Sequence, residues 1–213
     1  QYVFAATSAT IVSGAVAERT ELIAYMFYTT FIIMFIYPVV VHWVWSSSGW
    51  LSAFNSNYSF MGGVIDFAGS GVVHMTGGIA GLCGSYIIGP RLNRFDQHKN
   101  PLDLPGQSSI FQILGVLILW FGWYGFNAGS TLGISNFNYA RDAARTFVTT
   151  TLSATTGGLT TFIIDKNFGS KVWNPVYLTN GILCGLVSIT GSCVVVQPWA
   201  SIIIGFIGSI IYF

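Results

Sequence analysis

Only 7% of the 213 residues are charged, whereas soluble globular proteins carry about 25% charged residues. Hydrophobic residues make up 53% of the chain, and the formal net charge is +1. So few charges would leave a folded domain without a solvating surface, which excludes a soluble protein. The near-neutral charge also argues against nucleic-acid binding.

The apolar segments predict six full membrane spans and the start of a seventh, since about 20 apolar residues cross a bilayer as a helix. The predicted full spans are Tyr2–Ala17, Leu22–Trp45, Val64–Ile88, Ser108–Phe126, Ala143–Ile164 and Val176–Val196. The seventh begins within Trp199–Phe213, and Pro38 predicts a kink in the second span. We therefore expect an all-α polytopic membrane protein in which residues 1–213 form a single, partial transmembrane domain.

The basic residues predict the orientation of these spans. The connections after the first, third and fifth spans contain Arg19, Arg91, Arg94, Lys99, Lys166 and Lys171. The opposite side contains only Arg141 and Arg145, so the positive-inside rule places the first set in the cytoplasm. The connection after the second span is then external, and Asn57 in Asn57-Tyr58-Ser59 becomes a glycosylation candidate.

Pairs of glycines four residues apart predict close packing between helices, because they let two backbones approach each other. The pairs are Gly77 and Gly81, Gly125 and Gly129, and Gly181 and Gly185. We therefore expect a compact bundle.

Asp66 and His74 form an ionisable pair inside the apolar third span. Eight residues are slightly more than two helical turns, which would place both side chains on one face about 12 Å apart. Ionisable groups at membrane depth usually face a bundle interior or a solute pathway. For Asp66 two interpretations remain open, namely capping of the helix N-terminus and attraction of a cation. For His74 we predict a pathway role rather than a satisfied core position.

Aromatic residues crowd the end of the fourth span, between Trp120 and Ser130. They would form either a cation–π cage for a small cation or an ordinary interfacial belt, and composition does not separate the two. The histidines His42, His74 and His98 lie on different predicted elements without metal-ligand spacing. We therefore predict no metal, no cofactor and no catalytic residues.

Several segments resemble the ammonium transporter (Amt/Mep/Rh) family. They are Phe4–Thr7, Ser13–Arg19, Asp66–His74 and Gly122–Ser130, while Arg145–Leu152 is similar to the plant-type branch. The resemblance covers nearly the whole chain, and the Asp66–His74 segment is its most specific part. It implies an eleven-helix bundle that assembles as a homotrimer with one pore per subunit. This chain would be an internal fragment that covers helices three to eight and the start of nine.

The resemblance also implies roles for individual residues. Trp45 and Ser130 would line an external ammonium recruitment site, and Asp66 would hold that site together and favour a cation nearby. Below it, the rings of Phe4 and Phe126 would close the pore.

His74 would be the first of two pore histidines, the second of which belongs to a later helix outside this chain. The residues and the resemblance together predict a transporter that recruits ammonium, deprotonates it and conducts ammonia past His74. The plasma membrane is the expected location, with an internal membrane as the alternative. Two other functions remain open: a non-conducting homologue that serves as a sensor or structural subunit, and a membrane enzyme that uses Asp66 and His74 as acid and base.

Overall fold

The computed structural model describes residues 1–57 and 59–213, and these residues form seven long helices. The helices are α1 (Tyr2–Val16), α2 (Leu22–Trp45), α3 (Ser70–Ile88), α4 (Ser109–Ala128), α5 (Phe137–Phe168), α6 (Pro175–Thr190) and α7 (Pro198–Tyr212). Short 3-10 turns occur at Ala17–Arg19, Phe60–Gly62 and Gly129–Thr131. Extended structure within the described ranges is limited to isolated bridges, Ser52 with Val64 and Phe95 with Pro101.

Four helical segments are long and apolar enough to cross a bilayer. They are Leu22–Trp45, Ser70–Ile88, Ser109–Thr131 and Phe137–Phe168. The helices α6 and α7 are apolar but shorter. Every predicted span therefore contains a helix, and the differences lie at the boundaries.

The boundaries of α5 and α6 follow polar caps rather than hydropathy. Helix α5 was expected to begin at Ala143 but begins at Phe137, because the Asn136 side chain accepts a hydrogen bond from the Tyr139 backbone N–H at 3.0 Å. Helix α6 begins at Pro175 after a similar cap and ends at Thr190, six residues before the predicted end of the span at Val196.

The predicted start of the third span is wrong. The sequence pattern placed Val64 at its beginning, but helix α3 begins at Ser70. Asp66 therefore lies in the approach to the helix instead of two turns below His74 on the same helical face. The reason is local: the Asp66 side chain binds the first N–H groups of α3, so it has to stand outside the helix that it caps.

The second span, in which Pro38 predicts a kink, contains a π-helical turn. It occupies Ile32–Ile36, and the Tyr37 N–H continues the pattern by donating to the Ile32 carbonyl. Pro38 follows directly and lacks the N–H that a regular helix would use. Such turns are a recognised cause of helix bending.

The chain divides into two compact units, Gln1–Gly106 and Gln107–Phe213. In the first unit α1 packs closely against α3. A Cβ atom at Gly77 would lie 2.7 Å from the Ser8 carbonyl oxygen, and one at Gly81 would lie 3.3 Å from the Ala15 Cβ. This glycine pair therefore permits the predicted close contact.

In the second unit α5 packs against α6 and α7 through glycines and hydroxyl groups. A Cβ atom at Gly181 would collide with the Thr161 hydroxyl and the Gly157 carbonyl, so the predicted approach at this pair is also confirmed. Gly125 and Gly129 differ, since a Cβ at either would meet nothing within 4 Å among the described residues. Within the described residues, that pair makes no helix contact of the kind predicted for it.

Candidate functional site

The Asp66 carboxylate caps the N-terminus of α3. One oxygen, Oδ1, accepts the backbone N–H of Gly69 at 3.0 Å and of Ser70 at 2.7 Å. The other, Oδ2, accepts the N–H of Gly71 at 2.9 Å and of Val72 at 2.8 Å. These donors would otherwise lack partners, and the residue is buried, with 8% of its surface exposed. Of the two interpretations left open by the sequence, the geometry supports capping.

Gly69 turns the chain into this helix and also binds His74. Its φ of +99° lies in the left-handed region that glycine adopts at little cost. Its carbonyl accepts the backbone N–H of Val73 at 3.0 Å and of His74 at 3.1 Å, which produces the π-helical turn Ser70–Met75. A π turn of this kind is frequent at functional sites.

The same Gly69 carbonyl lies 3.0 Å from His74 Nδ1. A carbonyl oxygen only accepts hydrogen bonds, so Nδ1 carries the proton when the ring is neutral, and Nε2 then carries the lone pair. The ring is buried, with 7% of the residue exposed. Backbone geometry thus fixes both the position of the imidazole and its tautomer.

Trp45 connects the end of α2 to this turn. Its indole Nε1–H donates to the Asp66 backbone carbonyl at 2.6 Å, while the Asp66 side chain is occupied with α3. Phe4 of α1 contacts the indole edge-on, with ring centroids 5.6 Å apart and an interplanar angle of 65°. Three helices of the first unit thus converge on residues 66–74. We refer to Phe4, Trp45, Asp66 and His74 as the Asp66 cluster.

The remaining predicted site residues lie at the end of α4 in the second unit. The Ser130 hydroxyl donates to the Phe126 carbonyl at 2.9 Å, so its hydrogen is used within the turn while its oxygen keeps the capacity to accept. The Phe126 ring packs beside Trp123 with centroids 5.9 Å apart. Phe126 and Ser130 are thus about one helical turn apart and joined by a hydrogen bond.

Hydrogen bonds to threonines hold this end of α4, a feature that sequence reasoning missed. They join Trp123 Nε1 to Thr190 Oγ1 at 2.8 Å, the Tyr124 hydroxyl to Thr151 Oγ1 at 2.7 Å, and Asn127 Nδ2 to Thr150 Oγ1 at 3.0 Å. The available signal was the threonine run at residues 149–151, which is unusual in an apolar helix. The sequence does not show which of its hydroxyls face α4.

The other candidates from the sequence are not members of the Asp66 cluster. His42 and His98 are exposed, and no group of three His, Cys, Asp or Glu side chains suited to holding a metal ion occurs within residues 1–57 and 59–213. Asn57 is exposed, but the middle residue of its sequon, Tyr58, lies outside the described residues.

Comparison with known proteins places these features in one family. The profile of the Ammonium Transporter Family matches residues 1–213. The chain is 50% identical over 219 residues to ammonium transporter 1 member 2 of Arabidopsis thaliana, covering 98% of this chain and 42% of that protein. It is 49% identical to ammonium transporter 1 member 1 of Solanum lycopersicum, with 99% and 45% covered. The chain thus spans less than half the length of these curated relatives.

Solved structures show the same similarity. A protein described as a sensor Amt protein superposes with a TM-score of 0.86 at 34% identity, covering 98% of this chain and 50% of that one. Mep2 of Candida albicans superposes with a TM-score of 0.82 at 33% identity, covering 98% and 43%. The expected all-α polytopic fold and the family resemblance are both confirmed.

Proposed function

The chain belongs to the ammonium transporter family, and from that premise we propose that the whole protein moves ammonium across a membrane as a transporter rather than an enzyme. The observation that carries this proposal is the identity of about 50% to two proteins named ammonium transporters, which extends over nearly all of the chain. The Asp66 cluster provides the matching chemistry, because it places one imidazole inside an apolar helix.

Ionic solvation favours a neutral species for the crossing step. Moving an ammonium-sized ion into a dry medium costs on the order of 20 kcal/mol in the Born limit. Individual cation–π contacts or hydrogen bonds return only about 1–2 kcal/mol each. Such contacts suffice to bind ammonium at a wet vestibule but not to carry the ion through an apolar lumen. We therefore propose that ammonium is deprotonated and that ammonia makes the crossing.

His74 is the residue that we assign to the ammonia path. With the proton on Nδ1 directed to the Gly69 carbonyl, the lone pair on Nε2 is the acceptor for an N–H group or for a proton. Ammonia and ammonium both donate hydrogen bonds, whereas potassium does not. This difference supplies a physical basis for discrimination between ions of similar size.

The other members of the Asp66 cluster act before this step. We propose that the Trp45 ring binds ammonium by cation–π attraction and that Phe4, which packs against its edge, belongs to the gate below. Asp66 positions Trp45 through its backbone carbonyl and α3 through its carboxylate. Four N–H groups compensate its negative charge, so its main role is to support the site.

In the second unit we assign ammonium recruitment to Ser130 and gating to Phe126. Ser130 retains an acceptor oxygen suited to an N–H cation, and Phe126 presents a bulky apolar ring one turn earlier. The protein would act as a homotrimer in a lipid bilayer, with the plasma membrane as the expected location. The connection that carries Asn57 would face the exterior.

A sensor function is the second candidate, because one structural neighbour is described as a sensor Amt protein. That neighbour is 34% identical, whereas the curated relatives named as transporters reach 49% and 50%. The higher identity favours transport.

The test is ammonium uptake by the complete gene product in cells that lack their own ammonium transporters. We expect saturable uptake from the wild type and loss or altered selectivity of conduction in His74→Ala, with normal protein abundance in the membrane. His42→Ala is the matched control, because that imidazole is exposed, and it should behave as wild type. A wild type without uptake contradicts transport, and unchanged ammonium selectivity in His74→Ala contradicts a pore role for this residue.

A further inference from the structure

Asn127 lies on α4 between Phe126 and Ser130, and the proposed function gives it no role. Its side chain is fully buried, with 0% of the residue exposed. The amide Nδ2 donates to Thr150 Oγ1 at 3.0 Å, and the carbonyl Oδ1 has no hydrogen-bond partner among the described residues. A half-satisfied buried amide is costly compared with an apolar side chain of the same size. Packing alone therefore does not account for an asparagine here.

Helical geometry connects Asn127 to the proposed site. Trp123 and Asn127 are four residues apart and face the same side of α4, toward the threonines of α5 and α6. Phe126 and Ser130 are also four residues apart and share an adjacent face. Any rotation of α4 about its axis would therefore move the Phe126 ring and the Ser130 hydroxyl together.

Three side chains of α4 oppose this rotation through hydrogen bonds to threonines. Of the three, Asn127 depends most on its hydrogen bond for its contact with the neighbouring helix. Trp123 and Tyr124 also hydrogen-bond to threonines, but each has a large ring that packs against neighbours, Tyr124 against Phe147 at 5.2 Å. Asn127 has no ring, and Thr150 is the one hydrogen-bond partner that the described residues give its amide.

We propose that Asn127 is a positioning residue for ammonium recruitment. Its bond to Thr150 fixes the rotation of the end of α4 and so places Phe126 and Ser130. This inference rests on the roles proposed above for those two residues. It differs from a purely structural role because it predicts a change in substrate affinity instead of a loss of folded protein.

The experiment measures ammonium uptake by the complete gene product carrying Asn127→Leu, Thr150→Val or both, with membrane abundance determined in parallel. Each single variant should raise the KM for ammonium by about five- to tenfold and leave the maximal rate per transporter within about twofold. Because both changes remove the same bond, the double variant should show no larger effect than either single variant. Thr150→Ser keeps the hydroxyl, so this variant should have the wild-type KM.

Thr155→Val is the matched control on α5. Its hydroxyl donates to the Thr151 carbonyl of its own helix at 2.8 Å and is exposed, so the KM should not change. An unchanged KM in Thr150→Val, lower abundance with an unchanged KM, or additive effects in the double variant would each overturn the inference.

A structure of the Thr150→Val protein separates this inference from the proposed function. The inference expects the Phe126 ring and the Ser130 hydroxyl to shift relative to α5 in that variant. Unshifted positions overturn it even if the wild type transports ammonium. A wild type without uptake refutes the proposed function and with it the recruitment role, while a shift would still confirm the mechanical link.

Discussion

In the first unit a buried carboxylate caps the helix that carries the proposed pore histidine, whereas most buried polar groups in the second unit are neutral hydroxyls. Asp66 accepts four backbone N–H groups, while Thr149, Ser153 and Thr161 donate to carbonyl oxygens of neighbouring segments. Asp165 at the end of α5 is the exception, since it is 1% exposed and accepts from Ser170. A neutral hydroxyl can join two helices with a small desolvation penalty, whereas an ionisable group inside an apolar segment has a large one. A buried ionisable group within the membrane is therefore expected near a functional site.

The largest expected effect comes from Asp66→Asn. The substituted amide nitrogen cannot accept from the N–H groups that one carboxylate oxygen now binds, so part of the α3 cap is lost. We expect the free energy of unfolding to fall by about 3 kcal/mol or more. Thermal unfolding of the purified protein in detergent measures this. Asp103→Asn, which alters an exposed carboxylate, should leave the midpoint unchanged.

The outcome for Asp66→Asn also distinguishes the two interpretations of this residue. If the variant loses both stability and uptake, the capping role of Asp66 is supported. Normal stability with lost uptake would instead indicate that the Asp66 charge acts directly on the cation. The carboxylate of the first unit would then differ from the hydroxyls of the second unit by its charge and not by its capping bonds.

A smaller effect is expected from Gly181→Ala in the second unit. The added Cβ would collide with the Thr161 hydroxyl and the Gly157 carbonyl, and forced separation of tightly packed helices costs about 1–3 kcal/mol. The midpoint of thermal unfolding should fall. Gly115→Ala is the control, because a Cβ there meets nothing within 4 Å. Equal midpoints for the two variants would show that α5 and α6 do not need the close contact.

Ser153→Ala should be milder still. Its hydroxyl is fully buried and donates to the Gly185 carbonyl at 2.8 Å, a neutral bond worth about 1 kcal/mol within a membrane. We expect a correspondingly small decrease in unfolding free energy, measured by the same assay, and no change for Thr155→Val. A loss as large as that of Asp66→Asn would remove the distinction between charged and neutral buried groups.

The smallest effect concerns Asp96, a carboxylate that also binds backbone N–H groups but lies in the connecting loop. Hydrogen bonds from the Asn100 side chain and backbone, followed by one from the His98 backbone, hold its pKa below the ordinary value of 3.8. A lowered pKa means that this contribution to stability is present above about pH 4 and is lost as the pH falls through the folded value. Asn100→Ala should raise the pKa, as measured by NMR titration, whereas Gln97→Ala should not.

The sequence predicted the segments that form helices better than it predicted their ends. Each span predicted from hydropathy contains a helix, and four of these helices are long and apolar enough to cross a bilayer. The apolar pattern continues through Val64–Gly69, however, and so concealed the start of α3. The positive φ of Gly69 and the four N–H groups bound by Asp66 decide that boundary. The sequence signal for this boundary is Gly69-Ser70-Gly71, because glycine and serine are favoured at helix N-termini.

The candidate site was predicted to a different extent in the two units. Asp66 and His74 lie within reach of sequence reasoning, because they are rare residue types in an apolar segment, while Phe4 and Trp45 were predicted through the family resemblance. The bond between Asn127 and Thr150 is not within reach of sequence reasoning, since it depends on which hydroxyl of a threonine run faces α4. Neutral polar residues are common enough in helices that only the packing reveals their partners.

Helix α5 has 32 residues, which gives it a length of about 48 Å at a rise of 1.5 Å per residue. The hydrocarbon layer of a typical bilayer is about 30 Å thick, so α5 has to tilt or extend into the headgroup layers. A thicker membrane would draw more of its polar first turns, near Arg141 and Arg145, toward hydrocarbon. Lipid chain length should therefore affect this protein by changing how much of the long helix α5 lies in the hydrocarbon layer.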